Sequence, residues 1–197
     1  YKRQLFDTSF FEESSGVSLS VEGKVAIVTG AGGGLGKQHA LLLAEQGAKV
    51  VVNDLGGSVD GSGKSDMADL VVEEIRDKGG EAVANKGSVS DRDGAKSIVE
   101  TAVTKFGTVD ILINNAGTIM RAPAEEHPDE YWDRVIEVNL NAQFVLAREF
   151  GKEMVQRGEG KIVFTASVLT FQGGITVPGY AAAKGGIGQL TMALANE

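Results

Sequence analysis

KVAIVTGAGGGLGKQHALLLAEQGA, residues 24–48, places a run of β-branched residues directly before a glycine-rich loop and a helical pattern. The run KVAIVTG has the composition of a short buried strand. After the loop, Leu35, His39, Leu42 and Leu43 recur at helical spacing, and Gly47 ends the pattern. The stretch therefore predicts a strand, a tight loop and a helix in immediate succession.

The rest of the chain repeats this alternation of strand and helix. Further strand patterns occupy 49–55, 81–85, 109–115 and 161–167, and helical patterns occupy 66–78, 91–106, 129–157 and 179–196. The strands read as nearly continuous apolar runs, which is typical of strands buried on both faces. Alternation of this kind predicts an α/β fold with a doubly wound parallel sheet and helices on both faces, of the Rossmann type. We expect one domain over residues 23–197, preceded by an N-terminal extension over residues 1–22.

The composition excludes several classes of protein. The 197-residue chain has a net charge of -8, which argues against binding of nucleic acid or an anionic membrane surface. It has no cysteine and only two histidines, His39 and His127, so we expect no disulfide, no thiolate chemistry and no metal site. No apolar run is long enough to span a membrane, and the first residues lack the pattern of a secretory signal. We therefore expect a cytoplasmic protein.

The glycine loop has the features of a phosphate-binding turn. Gly30, Gly34 and Gly36 would let the backbone approach a dinucleotide pyrophosphate at the positively polarised end of the following helix. Thr29 and Leu35 belong to the same loop and are included among the expected cofactor-binding residues. The alternative is a flexible surface loop, but the strand before it and the helix after it favour cofactor binding.

An acidic residue at the end of the second strand predicts which dinucleotide binds. Asp54 is placed to accept hydrogen bonds from the adenosine ribose hydroxyls and to repel a 2′-phosphate. No arginine follows it to meet an extra phosphate, so NAD is favoured over NADP. The alternative for Asp54 is a turn residue at a strand end.

A tyrosine and a lysine lie four positions apart in VPGYAAAKGG, residues 177–186. Positions i and i+4 share a helix face, so the Lys184 ammonium can reach the Tyr180 phenol. A free phenol has a pKa of about 10 and is a poor base at neutral pH, and a nearby ammonium favours the phenolate. The alternative is an ordinary packed helix start.

Taken in order, the glycine loop, Asn114-Asn115-Ala116-Gly117, Ser167, Tyr180 and Lys184 resemble the short-chain dehydrogenase/reductase family over about residues 22–197. The resemblance implies that Tyr180 exchanges a proton with the substrate oxygen, that Lys184 supports it and holds the nicotinamide ribose, and that Ser167 hydrogen-bonds the substrate oxygen. It assigns Asn139 to a helix distortion and to a water in a proton relay. It also implies that Asn115, Ala116 and Gly117 bind the cofactor, and that the sheet lacks its last two strands.

One position departs from the family pattern. Many members carry an aspartate after the third strand that touches the adenine amine, whereas this chain has Gly87-Ser88-Val89. We therefore expect Ser88, with Val89, to contribute the adenine contact.

The resemblance leaves several functions open. Residues 166–197 look like bacterial 2-deoxy-D-gluconate 3-dehydrogenases, also described as 2-dehydro-3-deoxy-D-gluconate dehydrogenases. Residues 50–85 look like the 3-hydroxyacyl-CoA dehydrogenase part of peroxisomal multifunctional enzymes. We expect an NAD-dependent enzyme that interconverts a secondary alcohol and a ketone on a small polar substrate such as a sugar acid. The alternatives are a 3-hydroxyacyl-CoA dehydrogenase, a non-catalytic NAD-binding module and a purely structural subunit. A family-typical homodimer or homotetramer, paired through helix 129–157, is also expected.

Overall fold

The computed structural model describes residues 21–56 and 66–197, and within them a five-stranded parallel sheet forms the centre. The spatial order is β3-β2-β1-β4-β5, and every neighbouring pair is parallel. The strands are β1 (Val25–Thr29), β2 (Lys49–Asn53), β3 (Glu81–Asn85), β4 (Ile111–Asn114) and β5 (Lys161–Phe164). This order confirms the predicted Rossmann-type sheet, with β3 and β5 at the two edges of the described sheet.

Helices pack on both faces of the sheet, as predicted. They are α1 (Gly34–Glu45), α2 (Met67–Asp77), α3 (Arg92–Phe106), α4 (Asp129–Ile136), α5 (Ala142–Arg157) and α6 (Pro178–Leu194). Because successive side chains of a strand point to opposite faces, β1 sends Ala26 and Val28 into the core under α1 and α2. It sends Val25 and Ile27 into the core under α3 and α5.

The buried face of α1 differs from the face that the leucines predicted. Gly36, Ala40 and Ala44 are the buried residues of this helix, whereas Leu35 and Leu42 are 65% and 57% exposed. Small side chains allow the helix to lie close to the sheet, while Leu41 and Leu43 pack partly buried against the same core. The helix predicted from the spacing of Leu35, His39, Leu42 and Leu43 is present, and of these three leucines Leu43 is the one that packs against the core.

The long helical pattern over 129–157 is continuous but contains a wide turn. Residues Glu137–Asn141 form a π-helical turn between α4 and α5. Two of the large apolar side chains of this pattern, Trp132 before the turn and Phe144 after it, are 43% and 40% exposed. Each added residue rotates the following helix by about 100°, so an unbroken 3.6-residue period misplaces the face beyond the turn. The buried side chains along this stretch are Val135, Val138, Asn139, Ala142, Gln143, Leu146, Ala147, Phe150 and Met154.

Most of the expected N-terminal extension, residues 1–20, lies outside the described residues. Val21 is described and packs against the core under α1 and α2. Within the described part of the chain, no helix combines the length and apolarity needed to cross a membrane.

Candidate active site

A cleft of about 500 Å³ lies where the carboxyl ends of β1, β2, β3 and β4 meet. Ligands of doubly wound sheets bind at this edge, where the strand order reverses on either side of β1. The cleft is lined by Gly30, Gly33, Gly34, Asn53, Asp54, Leu55, Met67, Gly87, Ser88, Val89, Ser90, Asn115, Ala116, Gly117, Thr118, Arg134 and Val138. The structure thus brings together eight of the residues that the sequence assigned to cofactor binding.

The glycine loop leaves space that any side chain would fill. Gly30 has φ 63°, and a Cβ there would lie 2.8 Å from the Cα of Ala116. Gly36 is packed against the carbonyl of Gly30, and a Cβ at Gly36 would collide with that oxygen. Gly33 caps α1 in an extended conformation without a side-chain hydrogen bond, so no side chain competes for the first amides of the helix. A closely approaching anionic group such as a pyrophosphate fits this cradle.

Thr29 supports the loop from beneath. Its side chain is buried, and its hydroxyl oxygen accepts hydrogen bonds from the backbone amides of Asn115 and Ala116 at 3.1 and 3.0 Å. The Asn115 side-chain amide donates to the carbonyls of Thr29 and Gly30. These contacts tie the β1 loop to the β4 loop. Leu35, by contrast, points its side chain largely into solvent and does not line the cleft.

Asp54 lies beside the glycine loop at the end of β2. Its carboxylate accepts hydrogen bonds from the backbone amides of Gly32 and Gly56, both at 2.8 Å. A Cβ at Gly32 would lie 2.8 Å from the Asp54 carboxyl carbon, so the carboxylate rests directly on the loop. The negative charge therefore stands at the rim of the cleft, at the end of the second strand.

The loop after β3 is held by buried amides. The Asn53 side chain donates to the carbonyl of Gly87 at 2.8 Å, and the Asn85 side chain accepts from the Gly87 amide at 2.8 Å. Ser88 and Ser90 share a hydrogen bond between their hydroxyls at 3.1 Å. This arrangement presents Ser88 and Val89 to the cleft, and their contact with adenine stays a prediction. It adds Ser90, whose position after a strand end could have suggested it.

Asn139 occupies the π-helical turn and is fully buried. Its side-chain oxygen accepts from the backbone amide of Thr118 at 2.8 Å, and its side-chain nitrogen donates to the carbonyl of Thr118 at 2.7 Å. The asparagine thus fixes the chain just beyond Gly117. The helix distortion that the resemblance assigned to this residue is present, and its part in a proton relay stays a prediction.

Tyr180 and Lys184 lie in the first two turns of α6 and share a face. The Lys184 ammonium lies 5.5 Å from the centre of the Tyr180 ring. Lys184 is buried, its ammonium donates to the carbonyl of Thr165, and burial lowers the pKa of Lys184 below its ordinary value. A buried ammonium beside a phenol can stabilise negative charge on the phenol oxygen.

Ser167 begins a single 3₁₀ turn, Val168–Thr170, after β5. Its hydroxyl oxygen accepts a hydrogen bond from the Leu169 amide at 3.1 Å. This contact leaves the serine proton for another acceptor.

The tyrosine, lysine and serine do not line the cleft itself, but they adjoin it across the β4–β5 pair. The Thr165 amide donates to the carbonyl of Asn114, directly before the cleft residue Asn115. Sequence reasoning missed nine cleft residues, most of which are recognisable only from the folded loops. They are Gly33, Asn53, Leu55, Met67, Gly87, Ser90, Thr118, Arg134 and Val138.

Several known proteins are similar to this chain in sequence and in fold. The chain is 54% identical over 179 residues to a 2-dehydro-3-deoxy-D-gluconate 5-dehydrogenase of Pseudoalteromonas atlantica, covering 91% of this chain and 68% of that protein. It is 45% identical to a peroxisomal multifunctional enzyme type 2 of Drosophila melanogaster, covering 93% of this chain and 30% of that protein.

A solved structure of a gluconate 5-dehydrogenase from Burkholderia cenocepacia, in complex with NADP and tartrate, superposes with a TM-score of 0.79 at 31% identity. The alignment covers 89% of this chain and 66% of that one. Residues 24–197 match the family described as short chain dehydrogenase. The chain therefore belongs to the short-chain dehydrogenase family.

Proposed function

We propose that the protein is an NAD-dependent oxidoreductase that interconverts a secondary hydroxyl and a ketone on a small sugar acid. One observation carries this proposal: a buried lysine ammonium lies 5.5 Å from the Tyr180 ring, next to a glycine-cradled cleft. Family membership supports the same class of reaction.

The proposed chemistry uses the chain's own residues to move a proton. Tyr180 takes the proton of the substrate hydroxyl during oxidation and returns it during reduction. Lys184 stabilises the phenolate through its buried ammonium. Ser167 donates a hydrogen bond to the substrate oxygen and keeps its proton, while its own oxygen accepts a hydrogen bond from the Leu169 amide. When bound, the nicotinamide cofactor supplies the hydride acceptor or donor.

Five sets of residues would hold that cofactor. The α1 end of the glycine loop would hold the pyrophosphate, Asp54 the adenosine ribose, and Ser88 and Val89 the adenine. The loop 115–117 would complete the wall of the cleft, and Lys184 would reach the nicotinamide ribose.

The choice of NAD over NADP rests on the Asp54 carboxylate. A 2′-phosphate at the adenosine ribose would approach a negative charge that already rests against Gly32. The related Burkholderia cenocepacia structure holds NADP, and the ratio of kcat/KM for NAD and NADP tests the preference of this chain.

A sugar-acid substrate is supported by the names of the relatives from Pseudoalteromonas atlantica and Burkholderia cenocepacia. A 3-hydroxyacyl-CoA is the second candidate, supported by the 45% identity to a peroxisomal multifunctional enzyme type 2. A CoA substrate calls for cations near its phosphates, and Lys64, the lysine of the loop after Asp54, lies outside the described residues.

The test is a screen of the full protein with NAD and with NADP across sugar acids, 3-hydroxyacyl-CoAs and simple secondary alcohols, followed by absorbance of the reduced cofactor. Tyr180→Phe should abolish turnover while NADH binding, followed by fluorescence, stays nearly intact. Substantial turnover by Tyr180→Phe would contradict the role of the phenol. Cofactor binding without turnover on any substrate would favour a non-catalytic module, and absence of binding would favour a structural subunit.

Three further parts of the proposal concern the whole protein. Tyr131, Trp132 and Phe144 are exposed along α4 and α5, which supports self-association through this face. Light scattering at micromolar concentration should give a dimer or tetramer, and a monomer would contradict this part.

The catalytic domain over 23–197, the extension over 1–22 and a cytoplasmic location are also proposed. Limited proteolysis would test the domain bounds, and cell fractionation would test the location.

A further inference from the structure

Thr170 is the last residue of the 3₁₀ turn that begins after Ser167, and it connects that turn to α6. Its hydroxyl donates to the backbone carbonyl of Lys184 at 2.9 Å. The same oxygen accepts from the backbone amide of Ser167 at 3.3 Å. One hydroxyl therefore joins the backbones of two residues of the proposed active site.

The methyl group of Thr170 is fitted to the helix at a second point. A Cβ at Gly188, one turn beyond Lys184, would lie 2.5 Å from the Thr170 Cγ2. Gly188 thus leaves room for the threonine methyl to rest on the helix backbone. The hydroxyl contact at Lys184 and the methyl contact at Gly188 together fix the position of the 3₁₀ turn along α6 and its distance from the helix axis.

Among the hydrogen bonds of the described residues, those of the Thr170 hydroxyl connect the Ser167 backbone to α6. The Ser167 hydroxyl is held within its own turn by the Leu169 amide. The Lys184 ammonium is held by Thr165, which precedes the turn. The distance between the serine hydroxyl and the tyrosine-bearing face consequently depends on how the turn sits on the helix.

We infer that Thr170 is a positioning residue, which fixes the Ser167 hydroxyl relative to Tyr180 and Lys184 by bridging the serine turn to Lys184 and Gly188. This inference rests on the proposed function, because it assigns Thr170 a part in the same reaction. Thr170 does not touch the substrate in this scheme. It acts through the geometry of Ser167, and small displacements of aligned groups slow catalysis strongly.

Two substitutions separate the hydroxyl from the methyl. Thr170→Val keeps the shape and removes the hydrogen bonds, so it should lower kcat by about tenfold or more, with KM for NAD and NADH affinity changed by less than about twofold. Thr170→Ser keeps the hydroxyl and should retain most of the wild-type kcat. Thr191→Val is the control, because the exposed Thr191 donates a hydrogen bond of similar length, 2.8 Å, to the Ile187 carbonyl within α6 and joins no second element through it.

A second-site test uses the methyl contact. Gly188→Ala should lower kcat, because the new Cβ displaces the Thr170 methyl. Combining Gly188→Ala with Thr170→Ser removes the Cγ2 atom that clashes, so activity should recover relative to Gly188→Ala alone. Thermal unfolding of all variants shows whether they fold.

Three outcomes would overturn the inference: wild-type kcat in Thr170→Val, equal losses in Thr170→Val and Thr170→Ser, or no recovery in the double variant. If the wild-type protein turns over no substrate in the screen, the proposed function fails with it. If the wild type is active and Tyr180→Phe is inactive, but Thr170→Val is fully active, only the role of Thr170 is refuted.

Discussion

Gly36 and Gly30 touch through their backbones: the Cα of Gly36 lies against the Gly30 carbonyl, so a Cβ would overlap that oxygen. The same Cβ would lie 2.5 Å from the Asn115 side-chain nitrogen, which bonds the Thr29 and Gly30 carbonyls. This contact closes α1 onto the first strand and brings its amino end to the cleft.

Gly36→Ala should therefore destabilise the protein by about 3 kcal/mol and weaken NADH binding, because the loop must move away from α1 to admit the methyl group. Gly151→Ala in α5 is the control. A Cβ there meets no atom within 4 Å, so helix propensity should raise stability by about 0.5–1 kcal/mol. Urea unfolding measures the free energy of unfolding of each variant. Equal stability of Gly36→Ala and Gly151→Ala would contradict the prediction, because it would show that the contact between Gly36 and Gly30 accommodates a methyl group.

Asn139→Ala removes two buried hydrogen bonds to the backbone of Thr118. We expect a loss of about 2 kcal/mol or more, because the partners are buried away from water. Asn141→Ala removes an exposed hydrogen bond to Glu137 in the same π-helical turn and should cost less than about 0.5 kcal/mol. The two variants are compared by urea unfolding, and similar losses would contradict a special role for the buried amide.

Asp54→Asn should shift the cofactor preference toward NADP by about tenfold or more, because it removes the charge that faces a 2′-phosphate. Asp69→Asn is the control, since Asp69 pairs with Lys86 at 2.6 Å and does not line the cleft. The ratio of kcat/KM for NAD and NADP is measured for each. An unchanged ratio in Asp54→Asn would assign cofactor choice to another residue.

Lys184→Met should abolish turnover and reveal the cost of burying the ammonium. Burial lowers the pKa of Lys184 from its ordinary 10.5, so the unfolded chain binds the proton more tightly than the folded one. Wild-type stability, relative to Lys184→Met, should therefore rise as the pH rises from neutrality to about 10.5. Urea unfolding across this range measures the difference, with exposed Lys152→Met as control. A difference that does not change with pH would falsify this linkage.

The strands were predictable because their residues are apolar on both faces, and the alternation with helices determined the sheet topology. The buried face of α1 was not predictable from the sequence. It consists of Gly36, Ala40 and Ala44, whose side chains are too small to mark an apolar face. Tight helix–sheet packing selects for size there, and the more hydrophobic Leu35 and Leu42 are left outside.

The contacts of the candidate site are likewise of two kinds, those that sequence predicted and those that it did not. The proximity of Tyr180 and Lys184 follows from helical spacing, so sequence alone predicted it. The hydrogen-bond partners of Asn139 and Thr170 lie in other segments, because Thr118 is 21 residues from Asn139 and Lys184 is 14 residues from Thr170. The spacing of residues along the chain therefore does not predict these hydrogen bonds.

The wide turn at Glu137–Asn141 makes the length of this segment a requirement of the fold. Deleting one residue within it would let an ordinary α-helix run from Asp129 to Arg157. The downstream half would then swing by about 100°, turning Leu146 and Phe150 away from the sheet and toward water. Evolution can thus exchange side chains along this helix far more freely than it can change their number.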